Sequence, residues 1–146
     1  MKKAQRATAS SSAGIAKTKN RLVIEALYKY FVDGAYHKME RIFHPDVIWI
    51  QMEGFPGGGV YSGIDVIIQQ VFKQLKSDWD NWKVSVESLV EAKGAVFVIG
   101  QYSGRYTRTG KTFTADFIHH YQFKKSRIIC FRQYTDTAQI VKATVE

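Results

Sequence analysis

The chain predicts an α+β domain, with helices first and a run of antiparallel strands after them. Two apolar stripes of helical spacing occupy the first half. Four segments rich in aromatic and β-branched residues fill the second half. The turns between those segments are short, which makes neighbouring strands antiparallel.

Residues 1–19 are rich in Lys, Ala, Ser and Thr. They carry too little apolar surface to fold alone, so a flexible extension is expected before a domain at 20–146. Lys2, Lys3, Arg6, Lys17, Lys19 and Arg21 give the first 24 residues a charge of +6, out of +8 for the whole chain. The folded part is nearly balanced. It lacks the basic face that a nucleic-acid binder needs, so no specific nucleic-acid partner is expected. Two other readings of the tail are an organelle transit peptide and a basic arm that docks on an acidic partner or membrane surface.

Asn20 is placed to cap a helix over 20–33, with Val23, Ala26, Leu27, Tyr30 and Phe31 inward and Gly34 ending it. A short second helix over 35–44 is stopped by Pro45. Residues 46–52 read as a strand, with Val47, Trp49 and Gln51 on one face and Ile48, Ile50 and Met52 on the other. Both faces are apolar enough to be covered. Four glycines and a proline make 54–59 a loop, either a flap over a site or a plain connection. Ser62 and Asp65 have the spacing of a capping box. The stripe Ile64, Ile67, Ile68, Val71, Phe72 and Leu75 follows. Strands are then predicted over 82–92, 94–107, 112–123 and 127–135, with a last short helix over 138–143. Helices pack on one face of a bent sheet. The other face also carries Phe97, Ile99, Ile118 and Phe131, which predicts a homodimer through that side.

Several classes are excluded. No apolar run reaches the roughly 20 residues that span a bilayer, so no transmembrane segment is expected. Cys130 is the single cysteine. There is no disulfide framework, and a reducing, cytoplasmic setting is the expectation. No spacing matches a zinc or di-metal site, and no nucleotide-binding glycine motif is present. No metal or other cofactor is expected.

The strand at 112–123 organises the candidate site. One face carries Phe117, His119, Tyr121 and Phe123; the other carries Asp116, Ile118, His120 and Gln122. An apolar wall with one titratable group in it suits a small-molecule pocket. A two-residue turn at Thr109-Gly110 would set Gly100 opposite His119 and Tyr102 opposite Phe117. Glycine there would leave room for a ligand. Pairing across Lys125-Ser126 would set Arg132 near His119 and Tyr134 near Phe117. One bulged residue would put Phe131 or Gln133 in place of Arg132. Asp116 is either a surface acid meeting Arg105 or a catalytic carboxylate in a bulged register. Trp49, Tyr30, Tyr61, Tyr102 and Tyr121 are candidates to line the cavity, with hydroxyl tips for a flat apolar ligand.

The segments Phe43-His-Pro-Asp-Val-Ile-Trp49, Tyr61-Ser-Gly-Ile-Asp65, Gly104 through Lys111, and Ile128 through Ala138 with its F-R-x-Y-x-D-T-A ending follow one another in a telling order. Over about residues 20–143 the chain resembles the SnoaL-like, ketosteroid-isomerase-related branch of the nuclear-transport-factor-two-like superfamily. The resemblance implies a cone-shaped, strongly curved mixed sheet packed on three N-terminal helices, an apolar pocket and a dimer. Members include isomerases, polyketide cyclases, dehydratases, epoxide hydrolases and non-catalytic binding modules, so fold alone does not settle function. By position, His119 falls where ketosteroid isomerases place a buried acid that donates to the substrate oxyanion. Gln51 falls where they keep the proton-abstracting carboxylate. An amide cannot be that base, unless Glu53 or Asp116 turns inward.

Two expectations follow. One is cofactor-free acid–base chemistry on a small apolar carbonyl or polyketide-like compound, with His119 donating and Gln51 and the tyrosines orienting the ligand. The other is a binding or interaction module of the same fold without turnover.

Overall fold

The computed structural model describes residues 16–146. The expectations for the basic tail fall almost wholly on 1–15, outside the described residues. Helix α1 spans Lys19–Asp33. Its cap is Thr18, not Asn20: the Thr18 hydroxyl accepts from the Arg21 N–H at 3.2 Å. Gly34 ends the helix in the left-handed conformation, φ 65°. The segment Tyr36–Arg41 is a single 3₁₀ stretch. The chain enters β1, Phe43–Gln51, earlier than expected. Pro45 sits inside a local irregularity of that strand, where no ladder bond needs its missing N–H.

The loop after β1 leads into a short strand, β2, Gly59–Ser62, which the sequence did not reveal. Four residues with only Val60 and Tyr61 as β formers give too weak a signal. The predicted capping box does not form. Gly63 is the N-cap at φ 87° and no side chain bonds there. From it run α2 (Ile64–Ile67), a π turn (Ile68–Phe72) and α3 (Lys73–Asp78), one continuous helix with a π turn between two α segments. Ile67, Ile68, Val71 and Phe72 are buried, as the stripe predicted.

Strands β3 (Trp79–Ala92), β4 (Ala95–Tyr106), β5 (Thr112–Lys124) and β6 (Arg127–Thr135) then form consecutive antiparallel pairs. Helix α4, Thr137–Thr144, closes the chain. The sheet order is β2-β1-β6-β5-β4-β3, with β1 and β6 parallel. The sheet is mixed and curved but not closed. Register shifts in β3 at Asp80/Lys83 and Val86/Ser88, and between β5 and β6 at Gln122/Phe123, supply the bends. The core lies between the concave face and the helices, where Ile24, Met39, Val47, Val96, Tyr121 and Ile140 are fully buried.

Among the described residues, large apolar side chains on the outer face of the sheet stay exposed. Ile48, expected to be buried, is 40% exposed, and Val90, Ile118 and Tyr134 lie open with it. Phe131 belongs to the core instead, because the bulge before it reverses its face. Among the described residues no helix is long and apolar enough to cross a membrane.

Candidate functional site

The alternation expected for β5 holds. Phe113, Ala115, Phe117, His119 and Tyr121 point into the core, and Thr114, Asp116, Ile118 and Gln122 point out. The partners differ from those predicted. Gly100 faces Phe117, Tyr102 faces Ala115, and Val98 faces His119. The turn is longer than two residues: Tyr106 N–H donates to Lys111 C=O, and Gly110 N–H to Tyr106 C=O. The extra length slides the pairing by two positions, which keeps every face and changes every neighbour. The space at Gly100 is therefore not ligand space. The Phe117 ring and the backbone of Ser85 fill it.

On β6 one residue is bulged, so Gln133 lies opposite His119. Arg132 and Tyr134 point the other way, into an outer groove beside the glycine loop that also includes Glu53. Asp116 is likewise outside. It accepts from the Gln101 amide at 3.1 Å, while Arg105 meets Asp80 at 3.9 Å instead. Neither Glu53 nor Asp116 turns inward.

An apolar cavity opens beside His119, between α1, the π turn and the concave sheet face. It is lined by Trp49, Gln51, Tyr102 and Tyr121 among the predicted residues, and by Tyr28, Trp82, Phe131 and Gln133 besides. Its volume is about 40 Å³ as the space a water centre can sweep. One water needs roughly 10–15 Å³ on that measure, so a few small groups fit without movement. Half-buried Tyr28, Leu75, Trp82 and Val84 form its outer rim. The π turn brings Val71 and Phe72 onto the cavity together, an arrangement a regular helix turn gives less readily.

Tyr30 is not at the site; Lys38 covers its ring at 5.8 Å. Tyr28 takes the inward position. The stripe Ile24, Leu27, Tyr28, Phe31 fits helical spacing as well as the one chosen, because almost every residue from 23 to 31 is apolar or aromatic. Tyr61 is outside too, and its hydroxyl donates to Gly57 C=O at 2.6 Å. The Gln51 amide donates to the same carbonyl at 3.3 Å, which ties β1 to the glycine loop.

His119 is held on both nitrogens. Nδ1 meets the Tyr28 hydroxyl at 2.7 Å, and Nε2 meets the Tyr102 hydroxyl. Tyr28 also meets Tyr121 at 2.9 Å. The Phe117 ring stacks on the imidazole at 4.0 Å, and Phe131 meets it edge-on at 4.9 Å. Among the described residues no charged group touches it. Burial alone pushes the His119 pKa down to about 3, because an imidazolium here would lose its hydration with no anion in return. Burial likewise raises Tyr28, Tyr102 and Tyr121 above the ordinary phenol value. At neutral pH the hydrogen-bonded group of His119, Tyr28, Tyr102 and Tyr121 is uncharged. It can donate hydrogen bonds to a ligand but cannot abstract a proton as a general base.

Among the described residues, one lining residue has a buried polar side-chain atom without a partner. Trp49 Nε1 is buried and unbonded, and the indole stacks on Phe131 at 3.6 Å. A buried N–H without an acceptor is costly, and native structures keep few of them.

Comparison with known proteins agrees with this geometry. The SnoaL-like domain model matches residues 24–131. An NTF2-like protein from Burkholderia thailandensis is 30% identical over 90% of this chain and 100% of its own, with a TM-score of 0.83. TerC, co-crystallised with polyporic acid, is 22% identical over 86% of this chain and 98% of its own, with a TM-score of 0.77. A putative SnoaL-like polyketide cyclase from Jannaschia sp. CCS1 is 16% identical over 89% and 96%, with a TM-score of 0.76. No curated protein matches the chain. With the family model covering most of the domain and the same fold throughout these neighbours, the chain belongs to the SnoaL-like domain family.

Proposed function

We propose that the cavity binds a small, mainly apolar molecule through an acceptor oxygen such as a ketone or quinone carbonyl. The observation that carries this reading is Trp49 Nε1, a buried donor without a partner in the wall of an apolar cavity. The uncharged hydrogen-bond chain from Tyr102 through His119 and Tyr28 to Tyr121 offers a second donor in the same space. Two neutral donors on one carbonyl would polarise it. This supports carbonyl chemistry of the polyketide-cyclase or isomerase kind only if the ligand brings its own base or needs none. The binding-module reading gains from the same fact, since the cavity wall contains no carboxylate. A ligand with a ring must push back the half-buried rim residues to enter.

A thermal-shift screen of paired ketones and alcohols on the wild type and on Trp49→Phe tests this. Wild type should prefer the ketones, and Trp49→Phe should lose about tenfold in ketone affinity, the worth of one buried hydrogen bond. Arg132→Ala, in the outer groove, should bind as wild type does. Ketones that bind no better than alcohols, or a Trp49→Phe protein with unchanged affinity, would overturn the reading. Incubation of any ligand found, followed by product analysis, separates enzyme from binding module.

The reading includes a homodimer through the outer sheet face, supported by Ile48, Val90, Ile118 and Tyr134, which lie exposed there. Ile118→Lys would set like charges against each other across such an interface. Sedimentation should show a dimer for wild type and a monomer for the variant. A monomeric wild type would remove the proposal.

A further inference from the structure

We propose that Gln133 is a positioning residue that fixes the direction of the hydrogen bonds running through His119. Gln133 is 2% exposed and borders both the inner cavity and the outer groove. Its side-chain carbonyl accepts from the Met52 N–H at 3.2 Å. A backbone N–H can only donate, so this contact decides which way the amide points. The Gln133 amide nitrogen is left to donate to the Tyr102 hydroxyl at 3.1 Å.

The rest follows by counting protons. Tyr102 accepts from Gln133, so its own proton is free to go to His119 Nε2. Neutral His119 then carries its proton on Nδ1 and donates it to Tyr28. Tyr28 donates in turn to Tyr121. Every member accepts once and donates once until Tyr121, whose hydroxyl proton has no acceptor in the chain. The reverse direction also leaves one proton unpaired, on Tyr102, but there Gln133 and His119 both donate into the same hydroxyl and the relay is broken at Tyr102. A one-way chain, in which each bond polarises the next, is the better arrangement.

The chain therefore has a head, the Met52 N–H, and a tail, the Tyr121 hydroxyl. Tyr121 and Trp49 both line the cavity, and their rings lie 6.4 Å apart. Gln133 thus determines, through three intervening side chains, that the free hydroxyl donor lining the cavity is Tyr121 and not Tyr102. That last step rests on the proposed binding function; the direction of the chain does not.

Long-range ¹H–¹⁵N spectra of imidazole-labelled protein, recorded without ligand near neutral pH, test the direction. Wild-type His119 should show the Nδ1–H tautomer. Gln133→Met removes the head of the chain, and the His119 signals should move towards the Nε2–H form. Should that variant fold poorly, Gln133→Glu is the second choice. Its carboxylate would accept from Tyr102 and reverse the chain, so a change to Nε2–H is expected between about pH 5 and 9 as the new acid ionises. An Nε2–H tautomer in wild type would overturn the direction assigned. An unchanged Nδ1–H spectrum in the variant used would overturn the role of Gln133. Because no ligand is present, either result is independent of whether the ketone preference holds.

Discussion

Wild-type protein titrated with denaturant at decreasing pH should lose stability steeply below about pH 6.5, and His119 should be the main cause. The folded His119 has its pKa lowered from 6.5 to about 3. Above the unfolded value neither state binds the proton, and the full stability is present. As pH falls below it, the unfolded chain takes up a proton that the folded protein refuses. The equilibrium then shifts towards unfolding by up to about 1.4 kcal/mol per pH unit. Across the whole window the loss approaches about 5 kcal/mol, a large fraction of the roughly 5–15 kcal/mol that holds a domain together. The neighbours of His119 from α1, β4, β5 and β6 are Tyr28, Tyr102, Phe117, Tyr121, Phe131 and Gln133, so no carboxylate is at hand to stabilise the charged form. Glu25 is lowered as well, chiefly by its hydrogen bond from Lys17, but its loss comes only as pH falls below the ordinary carboxylate value of 4.5. The window between about pH 6.5 and 4.5 therefore isolates the histidine. His119→Gln, which can still bond both phenols, should flatten the slope there. An equal slope in wild type and variant would mean that His119 is not buried as a neutral group.

How much of this was legible in the sequence depended on the kind of signal. Faces were legible, because a strand alternates strictly: Phe117, His119 and Tyr121 on one side and Asp116 and Ile118 on the other needed no partner to be known. The helix 64–78 was legible for the same reason, since its isoleucines and Val71 recur at one spacing. Register was not. It depends on turn length and bulges, and two such details, the longer turn after Tyr106 and the bulge in β6, changed every cross-strand neighbour of His119. They moved Gly100 to Phe117 and brought Gln133 in place of Arg132. Tyr28 was hidden by excess, because α1 is so apolar that two stripes fit it equally well. The unpaired Trp49 N–H had no sequence signature at all, since an absent partner is visible only in three dimensions.

Gly100 carries the second large effect, and its role is the opposite of the one the sequence suggested. A glycine in a core strand reads as room left for a ligand. Here a methyl group added at Gly100 would collide with the Ser85 backbone carbonyl and come within 2.7 Å of Phe117 Cζ. Neither neighbour can yield cheaply. Ser85 is held in the β3–β4 ladder just before the Val86/Ser88 shift, and Phe117 is wedged against Tyr102 at 4.4 Å and His119 at 4.0 Å. Gly100→Ala should therefore cost about 3 kcal/mol or more, at the upper end of overpacking changes, despite the helpful loss of chain entropy that alanine brings. Gly104 is the internal control. It lies on the same strand, but an added methyl meets its nearest atom, Phe113 Cε1, at 3.3 Å, and that ring has only to shift slightly. Gly104→Ala should stay within about 1 kcal/mol of wild type. Urea unfolding of the two variants decides the matter. Similar stabilities would mean that Phe117 does not occupy the space at Gly100 and that this space is open after all. The expected gap would instead establish that the bend of the sheet, and not a ligand, is what requires glycine there, because only a residue without a side chain lets β3 fold over onto the ring that supports His119.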